Sequence, residues 1–132
     1  LGRDWEDFLA KNSLDKNPNI EYFRFSKKTR NEVMSRASVF LSLSNLEGGP
    51  VPLIEAMALG TPVISSDLAC LPEVVGDAGL VLPLLVEAWA DAVEQVQLSR
   101  GHYLELATRR LENFTAEASG RALADAYRMA LR

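Results

Sequence analysis

Pro62-Val-Ile-Ser-Ser66 places two apolar residues side by side between helix signals, with no polar alternation. A run of this kind is a strand buried on both faces, the usual state in a parallel sheet. Parallel neighbours need a crossover connection, usually a helix. The rest of the chain supplies them. Strand patterns at residues 20–25, 38–44, 62–66 and 79–82 alternate with helical ones, and three helical stripes follow. The order α-β-α-β-α-β-turn-β-α-α-α implies an α/β fold: a Rossmann-like parallel sheet with helices on both faces and a helical C-terminal tail. About four strands are few for that architecture, and the first helix has no strand before it. Leading strands are therefore expected outside this chain, leaving a sheet edge open to dimerisation.

Local signals set the expected boundaries. Asp4 is a candidate N-cap for a first helix carrying Trp5, Phe8 and Leu9 on one face. Asn17-Pro-Asn19 breaks that pattern. Thr29 and Glu32 have capping-box spacing, so a helix is expected from there with Val33, Met34 and Ala37 inward. Pro50 and Pro52 suit the first turn of a helix that stops at Gly60. Residues 71–75 read as a helical turn ending at Gly76. The tail stripes are Leu85, Trp89, Val93 and Val96; then Leu104, Ala107, Leu111 and Phe114; then Leu123, Tyr127 and Ala130, capped by Thr115.

Several function classes are disfavoured. The formal charge is −4 and no basic stripe is present, so nucleic acid is not an expected partner. No apolar run approaches the roughly 18 residues of a membrane span. The lone Cys70 and lone His102 offer neither a disulfide framework nor a thiol metal site, and His102 reads as a surface residue. Cys70 has no basic flank and reads as a packing residue.

The segment that carries chemistry is Glu47-Gly-Gly-Pro-Val-Pro-Leu-Ile-Glu55. It lies after a strand and opens a helix, and parallel sheets bind ligands at the carboxyl ends of their strands. A helix N-terminus favours an anion such as phosphate. Gly48 and Gly49 let backbone approach a ligand closely. Glu47 in the loop and Glu55 in the helix can each accept paired hydrogen bonds, as vicinal diols offer them. The layout reads as sugar at Glu47, diphosphate at the helix terminus and ribose at Glu55. Arg24, Lys27, Lys28 and Arg30 cluster after the first expected strand; they are either a solvated face or, for Arg24 and Lys27 above all, a contact to nucleobase or phosphate.

The run Glu47-Gly-Gly-Pro-Val-Pro-Leu-Ile-Glu55-Ala-Met-Ala-Leu-Gly-Thr-Pro-Val-Ile resembles the Glu-x7-Glu region of the family-4 (group 1) retaining glycosyltransferases. Leu71-Pro-Glu-Val-Val-Gly-Asp-Ala-Gly79 and Ala37-Ser-Val-Phe-Leu-Ser-Leu-Ser44 extend the likeness, which spans roughly residues 17–130 and is strongest over 38–82. The resemblance implies an enzyme of two Rossmann-like domains, the GT-B fold. This whole chain, 1–132, would be part of the C-terminal nucleotide-sugar-binding domain. It implies that Glu47 contacts the donor sugar as a catalytic residue, that Glu55 contacts ribose hydroxyls, and that Gly48, Gly49 and Val51 approach sugar and diphosphate through backbone. It further implies transfer of a hexosyl-type group with retention, in glycan or polysaccharide biosynthesis, with no metal or other cofactor. The expected partners are a nucleotide sugar and an N-terminal acceptor domain. The expected location is cytoplasmic, peripheral to the membrane through that domain.

Three departures from the family's pattern stand out. Pro50 stands in place of a residue with an N–H, Ala69-Cys70 replaces Gly-Gly before Leu-Pro-Glu, and the early Gly-Arg…Lys-Gly segment is lacking, so the chain alone is expected to be inactive. The alternative is a Rossmann-like nucleotide-binding or interaction module without transfer. A glycosidase acid–base pair is disfavoured because the fold reads as nucleotide-binding. A metal site is disfavoured because two carboxylates are too few ligands for a hard cation.

Overall fold

The computed structural model describes residues 2–21 and 26–131, with the side chains of 2–5 and of Lys27 outside the description. Three parallel strands form the sheet: β1 (Phe40–Ser42), β2 (Val63–Ser66) and β3 (Gly79–Leu82), in the order β1-β2-β3. The helices are α1 (Gly2–Lys11), α2 (Lys27–Arg36), α3 (Val51–Ala58), α4 (Leu71–Val75), α5 (Val86–Leu98), α6 (Arg100–Leu111) and α7 (Ala116–Ala130), with a 3-10 turn at Glu112–Phe114. The α/β class with a parallel sheet and a helical tail is as expected. Of the four expected strands, three are present. The other, at 20–25, has irregular backbone at Ile20 and Glu21, and its remaining residues lie outside the described ones.

β2 sits between two cores. Val63 points into a cluster with Met34, Leu53, Ala56, Met57, Leu71, Val75, Ala78 and Ala107. Ile64, the next residue, points into a second cluster with Trp89, Ala92, Val96 and Tyr103. The alternation of a strand's side chains makes this division. Helices α2, α3 and α4 therefore cover one face and α5 the other, while α6 contributes Ala107 to the first core and Tyr103 to the second. Every residue of β2 is buried, the state that its adjacent apolar pair Val63-Ile64 predicts.

The buried hydroxyls beside and within β2, and the Trp89 indole, are satisfied internally. Thr61 Oγ1 donates to the Met34 carbonyl at 2.5 Å, and Ser65 Oγ to the Ser66 carbonyl at 3.1 Å. The Trp89 indole N–H donates to the Pro83 carbonyl at 2.7 Å. Arg100 clamps the opposite ends of the strands from α6, donating to the carbonyls of Ser38 and Gly60 at 2.9 and 2.8 Å. Arg110 donates to the Val74 carbonyl at 3.1 Å and to that of Glu73, placing a cation on the C-terminal turn of α4.

Several boundaries follow the sequence. Gly60, at φ 76°, ends α3 in a Schellman arrangement: Thr61 N–H bonds the Ala56 carbonyl and Gly60 N–H that of Met57. Thr115 caps α7 by accepting from Ala118 N–H at 3.0 Å. Asn17 forms an Asx turn, its side-chain oxygen accepting from Asn19 N–H at 2.9 Å.

Others move. Asp4 lies inside α1 rather than before it. The cap of α2 is Ser26, three residues ahead of Thr29; its Oγ accepts from Thr29 N–H at 3.2 Å. That start turns Met34 inward and leaves Val33 exposed. Leu85 is also exposed, because α5 begins after it and buries Trp89, Ala92 and Val96 instead. On α7, Leu123 and Tyr127 are 59% and 65% exposed, so that stripe is not part of either core. No described helix is long and apolar enough to cross a membrane.

β3 enters the sheet through Gly79, which pairs with Val63. A Cβ at Gly79 would press on the Val63 carbonyl oxygen and stand 2.8 Å from Val63 Cγ2. Backbone cannot yield there without losing the parallel ladder. Gly79→Ala is therefore expected to lower unfolding stability by about 2 kcal/mol or more, measured as a shift in urea midpoint against Gly101→Ala, a helical position where an added Cβ meets open space. Equal midpoints for the two variants would refute the steric argument.

Candidate functional site

The candidate site lies at the carboxyl end of β1. The chain leaves β1 at Ser42, passes Leu43 and Ser44, and enters the loop 45–50 that precedes α3. Two bonds, one from β2 and one from the segment after it, fix this loop. Ser66 Oγ, at the end of β2, donates to the Ser44 carbonyl at 2.5 Å. The Cys70 thiol, just before α4, donates to the Glu47 carbonyl at 3.3 Å. Cys70 is thus more than packing: it holds the backbone of the residue on which the motif begins.

Glu47 is half-buried, and its carboxylate turns back to accept from Gly49 N–H at 3.3 Å. That distance is long for an N–H···O bond, so the contact is readily exchanged. Val51 N–H donates to the Gly49 carbonyl at 2.8 Å. Leu53 and Ile54 N–H both donate to the Pro50 carbonyl, at 3.0 and 3.3 Å, and Pro52 has no N–H to offer. The first turn of α3 is therefore largely satisfied by its own loop. Gly48 N–H has no hydrogen-bond partner among the described residues. The anion seat expected here is narrower than a fully open helix terminus.

A hollow of about 180 Å3 adjoins the loop, lined by Phe40, Ser42, Ser44, Glu47, Pro50 and Leu53 among others. It is smaller than the roughly 300 Å3 at which small-molecule pockets begin, so it can accept part of a ligand rather than a whole nucleotide sugar. A larger hollow of about 340 Å3, bounded by Arg36, Ser38, Gln97 and Arg100, lies at the amino ends of the strands. Parallel sheets do not present their ligands there.

Glu55 lies one turn into α3 and faces α2. Its Oε1 accepts from Arg30 Nη2 at 2.7 Å, with the two side chains 28% and 31% exposed. Its Oε2 is buried without a partner among the described residues, as are Arg30 Nε and Asn31 Oδ1. The sequence placed Arg30 in the basic cluster but gave no sign that it meets Glu55, 25 residues on. Glu47, Gly48, Gly49, Val51 and Glu55 are brought together by one loop and one helix. Arg24 and the side chain of Lys27 lie outside the described residues.

The description "Glycosyl transferases group 1" fits residues 2–98, most of the chain and all of this site. The chain belongs to the group 1 glycosyl transferases. It is 34% identical over 113 residues, 82% of its length, to the O-antigen chain mannosyltransferase B of Escherichia coli, and spans 29% of that enzyme. It is 39% identical over 64 residues, 48% of its length, to the MMP alpha-(1->4)-mannosyltransferase of Mycolicibacterium hassiacum, spanning 16% of it. Over 83 residues, 58% of its length, it is 39% identical to the D-inositol 3-phosphate glycosyltransferase of Rhodococcus erythropolis, spanning 19%.

The structure gives the Ala69-Cys70 departure noted in the sequence a cost. Ala69 has φ 54°, the left-handed region where a Cβ crowds the following carbonyl. Glycine removes that strain but loses more chain entropy on folding. The strain is the larger effect, so Ala69→Gly is expected to stabilise by up to about 1 kcal/mol, raising Tm by roughly 4 °C. A thermal melt showing no rise, or a fall, would contradict it.

Proposed function

We propose that this chain is the donor-binding part of a retaining glycosyltransferase of the GT-B fold, which moves a hexosyl group from a nucleoside-diphosphate sugar to an acceptor in glycan biosynthesis. The observation that carries this reading is the placement of Glu47 in one anchored loop at the carboxyl end of β1 and of Glu55 in the helix that the loop opens, in a member of this family. Glu47 would take hydroxyls of the donor sugar. Gly48, Gly49 and Val51 would meet the sugar and diphosphate through backbone, and Glu55 would take the ribose.

The division of labour follows from chemistry. A carboxylate at the sugar both orders its hydroxyls and favours positive charge as the anomeric C–O bond to the diphosphate breaks. The new bond forms to the oxygen of an acceptor hydroxyl, and the nucleoside diphosphate leaves with that hydroxyl's proton. The long Glu47–Gly49 contact offers a means of entry: a ligand oxygen that takes Gly49 N–H frees the Glu47 carboxylate for the sugar. No metal is assigned a part in this reading. Mannosyl is the favoured group, because two of the relatives are named as mannosyltransferases.

The small hollow beside the loop argues that further walls of the donor site come from an acceptor-binding domain, and that 1–132 by itself binds without transferring. Arg24 and Lys27 are proposed to reach nucleobase or phosphate. The enzyme is proposed to work in the cytoplasm at the membrane surface.

The test is transfer by the full-length protein from a panel of nucleotide sugars, with Glu47→Ala and Glu55→Ala. Glu47→Ala is expected to lower kcat/KM about 100-fold, and Glu55→Ala to raise KM about tenfold, the scale of one lost charge-assisted hydrogen bond or two. Undiminished transfer in both variants would overturn the assignment.

A further inference from the structure

The Arg30–Glu55 pair is half made. A guanidinium edge presents two parallel donors, Nη2 and Nε, that match the two oxygens of a carboxylate as a fork. Here Nη2 bonds Oε1 at 2.7 Å, while Nε and Oε2 are each buried with no partner among the described residues. Leaving both unpaired is costly, since each forfeits water and gains nothing. The unmet groups are one donor and one acceptor. A hydroxyl is their complement, because it accepts along one direction and donates along another.

We propose that Arg30 is a specificity-determining residue of the donor site, its Nε–H donating to the ribose hydroxyl whose proton Glu55 Oε2 accepts. The inference rests on the reading of Glu55 as the ribose-binding carboxylate. It adds a second contact to that hydroxyl and gives the ion pair a task. Arg30 Nη2 fixes the carboxylate through Oε1. The other half of the fork, Nε and Oε2, is shielded from solvent, and the hydroxyl would be held between them. A site of this form rejects a nucleotide that lacks the hydroxyl, because both buried groups then stay unpaired.

The consequence is discrimination between ribose and deoxyribose, and the conservative variant isolates it. Arg30→Lys keeps the positive charge and can still hold Oε1, but it has no second donor on a rigid edge. Binding to the full-length protein is measured by calorimetry with UDP, GDP and ADP, and with the 2′-deoxy and 3′-deoxy forms of whichever binds tightest. Wild type is expected to lose about tenfold or more in affinity when one of the two hydroxyls is removed. In Arg30→Lys, the same removal is expected to cost less than about threefold. Thermal melts establish that the variant is folded.

Three results overturn the proposal, and they are distinguishable. If Arg30→Lys discriminates as well as wild type while Glu55→Ala weakens binding, Arg30 does not read the hydroxyl and the role of Glu55 stands. If wild type binds ribo and deoxy forms alike, the fork receives no hydroxyl. If Glu55→Ala binds every nucleotide as wild type does, or wild type binds none of them, the donor-site reading itself fails and takes this inference with it.

Discussion

The burial of β2 is the constraint on which the rest depends. Its four residues have no access to water, so each side chain must find a partner within the protein. Val63 and Ile64 meet this demand by filling two cores on opposite faces. Ser65 and Ser66 meet it by bonding carbonyls, and Ser66 reaches across to Ser44 on the neighbouring chain segment. A need internal to the strand thereby fixes the point from which the motif loop departs. Packing and site geometry share one set of atoms here.

The same economy appears at Cys70 and Arg30. Neither extends directly into the hollow beside the loop, yet one holds the backbone of Glu47 and the other the carboxylate of Glu55. The two glutamates lie on different kinds of structure, a loop and the second turn of a short helix. Each is tied to a different neighbour: Glu47 to the segment after β2, Glu55 to α2. A donor spanning both would therefore report on two independent packing contacts, so disorder in either would loosen only its own end of the site.

Much of this was legible in the sequence, for reasons particular residues make plain. Val63-Ile64 and Gly60 were readable because a doubly buried strand and a left-handed cap each demand a narrow choice of residue. The α2 start was misread because Thr29 and Glu32 mimic a capping box, while Ser26 satisfies the helix through a bond to Thr29 N–H that its spacing serves equally well. The tail stripes were misplaced where periodicity alone cannot tell an inward face from an outward one, as Leu85, Leu123 and Tyr127 illustrate. The motif's loop and helix were found because their pattern is local. The Ser66, Cys70 and Arg30 contacts were not, since each joins residues more than twenty positions apart and leaves no spacing to read.

The close approach of Gly79 to Val63 has a further meaning for the alignment of the sheet. Within β3 a single residue lacks a Cβ, and in the observed alignment that gap falls against the Val63 carbonyl. Sliding β3 by one residue would bring Leu80 to the same place, where its side chain has no room, and would exchange the two faces of the strand. Gly79 acts as a notch that admits one alignment and rejects its neighbours. The relation of β2 to β3, and with it the position of the turn that carries Cys70 toward Glu47, is thus chosen partly by the absence of an atom.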